Sequence, residues 1–288
     1  MSALEAVFFG IIQGLAEFLP ISSSGHLAFF HNIFSGLTDL ESDGAFIFDI
    51  LLHLGTLAAV CIVYYKDIWQ LIVAFISLIK KIIKEKFNFK NIQLSTDEKF
   101  LLMLVVAVIP LVLGAVLDSA VGFVRNYVWA IGILWIINGF LLLFSDRIAQ
   151  KKQSANPEDT EKKKTIGNAL KVGLCQLLAI FPGISRSGMT ITGGLLCGFD
   201  REFAVKFSFI LSIPAILGAN ILSITELSSH PIASSDIFPY ICGMLAALLS
   251  GLAAIKLLTY ISKKKNFKGF ACYCIAIGVV ATVLDFII

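Results

Sequence analysis

Charge is what this sequence has least of. Asp, Glu, Lys and Arg make up 15% of its 288 residues, where a water-soluble domain carries about 25%. Hydrophobic side chains make up 57%, the mean hydropathy is +0.87, and several uncharged runs are long. A bilayer core takes roughly 20 apolar residues to cross, so a water-soluble globular domain is excluded and a polytopic helical membrane protein is indicated. Other absences narrow the chemistry. There is no Walker loop, no HExxH helix, no glycine-rich dinucleotide loop and no nucleic-acid signature, so neither a nucleotide nor a nucleic-acid partner is expected. The six cysteines, at 61, 175, 197, 242, 272 and 274, form no CxxC pair and read as small buried hydrophobes. The opening Met1-Ser2-Ala3-Leu4-Glu5 has no basic n-region, so the first apolar segment is expected to remain in the mature protein.

Against this apolar background two short stretches look like copies of each other. Gly10 to His26 (GIIQGLAEFLPISSSGH) and Gly173 to Met189 (GLCQLLAIFPGISRSGM) align without a gap at an offset of 163 positions, matching at Gly, Gln, Ala, Phe, Ile, Ser, Ser and Gly. Each is an apolar run that stops at a proline followed by serines and glycines.

The remaining apolar runs set the layout. Residues 4–19 and 24–34 are short helices around the first stretch, and 169–181 and 187–197 repeat them around the second. Spans are expected at 46–64, 100–117, 128–144, 203–224, 237–258 and 267–287. Residues 68–79 are too short to cross and read as a helix lying at the interface with its lysines solvated. Of the 23 Lys and Arg, 18 fall in 66–99, 146–171 and 263–268, whereas loops 36–45 and 225–236 have none. Placing the basic regions in the cytoplasm separates the two copies by three spans, so they enter the membrane from opposite faces. The expected fold is therefore all-α and polytopic, with six transmembrane helices plus two re-entrant helix pairs in an inverted-topology repeat. Within the single membrane domain 1–288, residues 1–145 and 169–288 are the repeats, and 146–168 is a cytoplasmic linker.

Non-helical backbone at membrane depth is tolerated only where protein or a wet cavity satisfies it. A helix restarting after such a break presents free N–H groups and a positive dipole end, which suits an anion, and two facing breaks suit a diphosphate. Ser22, Ser24, Ser185 and Ser187 can either cap helices or donate to phosphate. Glu17 is an ionisable group inside an apolar helix, a functional candidate by its cost alone. It can activate a serine, ligate a divalent ion, or simply pair with Arg186. Gln13, one turn earlier on the same face, can extend a metal or water site or bond to another helix. Arg186 offers a planar fork of donors suited to phosphate. His26 lies three residues after Ser23, close enough on a helix for a nucleophile–base or nucleophile–acid pair, or it is a neutral packing residue. Thr190, four residues after Arg186, is a further candidate donor. His53 can line the cavity or bond between helices.

The segments Gln13 to Leu27 and Pro182 to Thr190 closely resemble the two motifs of the undecaprenyl-diphosphate phosphatase family known for bacitracin resistance, and the span layout agrees along essentially the whole chain. The resemblance implies a bacterial inner-membrane hydrolase with a periplasmically accessible site. Its substrate is the polyprenyl diphosphate lipid whose monophosphate carries cell-wall precursors, and it requires a divalent cation, Mg²⁺ or Ca²⁺. It places the essential glutamate at Glu17, the catalytic serine at Ser23, the histidine at His26 and the diphosphate-binding arginine at Arg186, with Glu17 and Gln13 as metal candidates. Gln13 is the less acidic of two residues the family carries there. Ser23 then attacks the terminal phosphorus with help from Glu17 or His26, or water attacks and Ser23 only positions. A lipid transporter is the rival class, because broken helices in inverted repeats are also a transporter plan. A symmetric homodimer is compatible with the chain, and no segment marks its interface.

Overall fold

The computed structural model describes residues 1–34, 42–84, 93–152, 161–227, 234–264 and 266–287. Parts of the loops 36–45 and 225–236 and of the linker 146–168 lie outside these residues. Among the described residues there is no strand, and eleven α-helices follow one another: α1 (Ala3–Phe18), α2 (Ser23–Phe34), α3 (Ser42–Val63), α4 (Tyr65–Lys84), α5 (Thr96–Val121), α6 (Val128–Lys152), α7 (Ile166–Leu177), α8 (Arg186–Cys197), α9 (Arg201–Leu227), α10 (Ile237–Lys264) and α11 (Lys268–Asp285). Short 3₁₀ turns at Gly122–Asn126 and Leu178–Ile180 precede α6 and follow α7.

Local chemistry explains the helix ends that matter here. A capping box starts α1: the Ser2 hydroxyl accepts from the Glu5 N–H, and the Glu5 carboxylate accepts from the Ser2 N–H. The helix stops at Leu19, which is extended (φ −70°, ψ 145°) because a residue before proline is driven out of the helical region. Ser185 caps α8 by accepting from the Gly188 N–H, and α8 ends on Gly198 in the left-handed conformation, φ +90°.

Four helices are long and apolar enough to cross a membrane, α6, α9, α10 and α11, and α3 with α4 makes a fifth candidate bent by 83°. The chain is a multi-pass membrane protein. That bend separates α3 from α4, which is 20 residues long rather than the twelve expected. The α4 helix buries Ala74 and Leu78 and exposes Trp69, Phe75 and Ile83. Its C-terminal half is tied to α5 through Glu98, which accepts from Lys81 at 2.7 Å and from Ser77 at 2.9 Å. Helix α6 also outruns expectation. It continues through 145–152, where buried Asp146 pairs with Arg201 at 2.5 Å and so keeps a charged turn helical.

The packing is reciprocal between the two halves. The α1 helix packs on α10 and α7 on α5, while α6 and α11 pack on each other. The α1–α10 approach is backbone to backbone: a methyl group at Gly10 or Gly14 would collide with the carbonyl oxygens of Gly243 and Ala247. This pairing brings the C-terminal end of α1 to the centre of the molecule. The largest core cluster, including Phe18, Ile191, Phe207 and Phe209, surrounds it.

Candidate active site

Two breaks in helical structure, Leu19–Ser22 and Phe181–Ser185, meet at this centre. Pro20 opens the first and Ser22 turns through φ +70°; Gly183 turns the second at φ +105°. Every carbonyl of the first break has a partner. Leu19 O accepts from the Ser187 hydroxyl at 3.1 Å, Pro20 O from Asn138 Nδ2 at 3.0 Å, Ile21 O from Trp135 Nε1 at 2.9 Å and Ser22 O from His26 Nδ1 at 2.7 Å. Asn138 clamps both breaks, because its Oδ1 also accepts from the Ser185 N–H at 3.1 Å. The Ser22 hydroxyl accepts from the N–H groups of Gly25 and, across the junction, Gly183. The side chains of Ser187, Asn138, Trp135, His26 and Ser22 supply the broken backbone with what the helix ladder no longer does.

Beside the junction lies a tight polar constellation. The Glu17 carboxylate, 7% exposed, accepts from Arg186 Nη2 at 2.6 Å on Oε1, and from Ser23 Oγ at 2.6 Å and Gln13 Nε2 at 3.1 Å on Oε2. His53 Nε2 stands 3.9 Å from Oε2, with its Nδ1 donating to the Asp49 carbonyl. Arg186 is further steadied by Ser212 O at 3.4 Å. An arginine and a carboxylate buried together compensate each other, whereas removing either would leave an unpaired charge. A serine hydroxyl donating to a carboxylate at 2.6 Å is a nucleophile already facing a base.

The structure therefore brings Glu17, Ser23, Gln13 and Arg186 into one cluster. His26 is not bonded to Ser23; its Nε2 meets the Tyr273 hydroxyl at 2.7 Å instead. Ser23 is half-buried and Ser24 exposed. The hydroxyls of Ser22, Ser185, Ser187 and Thr190 are all buried. Those of Ser185 and Ser187 contact each other at 3.1 Å, and that of Thr190 meets Ser208 at 2.6 Å and the carbonyls of Arg186 and Ser187. Sequence reasoning missed Asn138, Trp135, Tyr273 and Ser212. For Asn138 and Trp135 the available signal was a polar-capable residue at i and i+3 inside an apolar span.

Among the described residues no group of three His, Cys, Asp or Glu side chains is placed to hold a metal. One feature fits a hard cation: Gln13 is fully buried, and its Oε1 has no hydrogen-bond partner next to the Glu17 carboxylate. An orphaned carbonyl oxygen beside a carboxylate is the donor type that Mg²⁺ and Ca²⁺ select.

Comparison with known proteins identifies the family. The family model described as bacitracin resistance protein BacA matches residues 6–280. The chain is 34% identical over 290 residues to an undecaprenyl-diphosphatase of Methanosphaera stadtmanae and 37% identical over 289 residues to one of Desulforapulum autotrophicum, with the whole of each chain covered. It is 38% identical over 289 residues to an undecaprenyl-diphosphatase of Carboxydothermus hydrogenoformans, covering 99% of this chain and 98% of that one. With both breaks inside the matched region and similarity running end to end, the chain belongs to the bacitracin resistance protein BacA family.

Proposed function

We propose that this protein is an undecaprenyl-diphosphate phosphatase. It hydrolyses undecaprenyl diphosphate to undecaprenyl phosphate and inorganic phosphate and so recycles the lipid carrier of cell-wall synthesis. The observation that carries the reading is the Glu17 carboxylate, with Ser23 Oγ on one oxygen and Arg186 on the other, both at 2.6 Å. One group thereby holds a nucleophile and a phosphate-binding cation side by side.

In the reaction, the diphosphate takes the Arg186 fork away from Glu17 and approaches the first turn of α2. Ser23 Oγ attacks the terminal phosphorus, its proton passes to Glu17, and the bond to the bridging oxygen breaks. Undecaprenyl phosphate leaves with the electron pair of that bond, and the Glu17 proton goes with it or to solvent. Water then attacks the phosphoserine and gives a proton to Glu17, which passes it to Ser23 Oγ as the bond from that oxygen to phosphorus breaks and phosphate departs. Gln13 and Glu17 would hold a divalent cation, Mg²⁺ or Ca²⁺, whose charge would offset that of the phosphates. Ser22, Ser185, Ser187 and Thr190 serve the substrate indirectly by fixing the breaks, while exposed Ser24, its hydroxyl 3.4 Å from that of Ser22, turns to donate to it.

The finer architecture follows the same reading. Helices α3, α5, α6, α9, α10 and α11 cross the membrane, and the pairs α1/α2 and α7/α8 are re-entrant. Residues 1–145 and 169–288 form an inverted repeat around the cytoplasmic linker 146–168. The reciprocal packing of α1 on α10 and α7 on α5 supports this, and α4, bent 83° from α3, lies along the cytoplasmic interface. The enzyme sits in the bacterial inner membrane and takes substrate from the periplasmic side, where the spent carrier is released.

The decisive assay is phosphate release by detergent-solubilised protein supplied with a polyprenyl diphosphate. Wild type is expected to turn over, and Glu17→Ala and Arg186→Ala to lose activity. An inactive wild type that moves lipid between vesicle leaflets would replace hydrolysis with transport. Acid quench with labelled substrate should trap phosphoserine at Ser23; hydrolysis persisting in Ser23→Ala would point to direct attack by water.

A further inference from the structure

His26 lies one helical turn after Ser23, yet the two are not bonded. Its Nδ1 is 2.7 Å from the Ser22 carbonyl oxygen, which can only accept, so Nδ1 carries a proton and the neutral ring presents its lone pair at Nε2. The atom that meets this lone pair is the hydroxyl oxygen of Tyr273, at 2.7 Å, so the phenol donates. The two rings are parallel within 5°, and Trp135 packs edge-on against the imidazole with ring centroids 4.7 Å apart. His26 is 4% exposed, and Tyr273 reaches it from α11, 247 residues along the chain.

The residue held by this chain of bonds is in an unusual conformation. Among the described residues Ser22 is the one non-glycine with positive φ, at +70°, a conformation that persists only where its surroundings over-determine it. The Ser22 hydroxyl is fixed by the N–H groups of Gly25 and Gly183, and its carbonyl by His26. The peptide unit that begins at this carbonyl leads directly to Ser23, whose hydroxyl must reach Glu17.

We infer that Tyr273 is a positioning residue of the phosphatase reaction: through His26 its hydroxyl holds the Ser22–Ser23 peptide in the orientation that delivers Ser23 Oγ to Glu17. The inference rests on Ser23 being the nucleophile. His26 then acts by placing the nucleophile, with Nδ1 on the peptide and Nε2 on the phenol, and both ring nitrogens are needed.

The test uses full-length protein in detergent with a polyprenyl diphosphate substrate. Tyr273→Phe keeps the ring and removes one hydroxyl. It should lower kcat about ten- to a hundredfold, as loss of an orienting partner does, while KM stays within about twofold. In a His26→Ala background the same substitution should cause no further loss, because its route of action is gone. In ¹⁵N-histidine-labelled protein the His26 Nε2 resonance should move in Tyr273→Phe. Wild-type kcat in Tyr273→Phe, additive losses in the double variant, or a raised KM with unchanged kcat would each overturn the inference. Ser23→Ala separates the two readings: if it stays active, the nucleophile assignment fails; if it is inactive and Tyr273→Phe is normal, only the role of Tyr273 fails.

Discussion

The two breaks share individual capping hydrogen bonds, yet their backbones turn at different places, Ser22 at φ +70° against its counterpart Ser185 at φ −79°, and they hold opposite chemistry. At the common offset of 163 residues, Ser22 corresponds to Ser185, and each accepts from the glycine N–H three residues on, at 3.2 and 3.1 Å. Ser24 corresponds to Ser187, and in each break the two hydroxyls meet, at 3.4 and 3.1 Å. Three of the differences change the chemistry. Ile180 stands where the first break has Glu17, Arg186 where it has Ser23, and Met189 where it has His26. Ser23 and Arg186 thus occupy equivalent positions, at the starts of α2 and α8. Packing the breaks against each other sets them on either side of one carboxylate. Duplication supplied the scaffold, and a few side chains divided the labour.

Substitutions that erase the division should have the largest effects. Ser23→Ala removes the proposed nucleophile and should lower kcat about a thousandfold or more in the phosphate-release assay; a loss under tenfold would put the chemistry elsewhere. Arg186→Lys keeps the charge but replaces the planar fork with a point charge and leaves Glu17 poorly matched. A loss of about a hundredfold in kcat/KM is expected, the scale of one oriented donor to developing charge.

The shared scaffold should respond in stability instead. Asn138→Leu leaves the Ser185 N–H without its partner and Pro20 O with only the weak Cys274 thiol donor at 3.6 Å, each costing about 1 kcal/mol. Thermal unfolding in detergent should report a loss of about 2 kcal/mol, with the breaks separating before the spans. The smallest effect tests the asymmetry itself. Gln176 corresponds to Gln13, but with Ile180 in place of a carboxylate its buried Nε2 has no partner. Gln176→Leu should therefore stabilise by about 1 kcal/mol with activity retained. Gln13→Leu should instead impair activity and its dependence on divalent cation. Equal behaviour of the two variants would mean that the halves differ less than their sequences do.

Much of this site could be read before any coordinates were known. Proline ended α1 because it constrains Leu19, scarce ionisable residues beside the serine-glycine clusters marked Glu17 and Arg186, and the motif resemblance singled out Ser23. Other parts were invisible for a definite reason. Trp135, Asn138 and Tyr273 lie 114, 118 and 247 residues from the groups they bond. A lone polar group in an apolar span shows that a partner exists without showing which. The pairing of Ser23 with Glu17 rather than His26 had the same origin: helical spacing puts Ser23 and His26 on neighbouring positions, but the direction of the imidazole is decided by Ser22 O and Tyr273. The overrun of α6 needed Arg201 to neutralise Asp146, and the length of α4 needed its tie to Glu98 on α5.

The amino-acid sequence by itself determined that the chain is helical and membrane-embedded, that two related breaks interrupt its helices, and which ionisable residues accompany them. These are local matters of hydrophobic length, proline geometry and the cost of burying charge. Only the tertiary structure decided that the breaks meet, that Glu17 stands between Ser23 and Arg186, and that His26 turns to Tyr273. Those outcomes depend on α1 packing against α10 and α6 against α11, because hydrogen bonds act over about 3 Å, and only packing brings groups from distant parts of the chain that close.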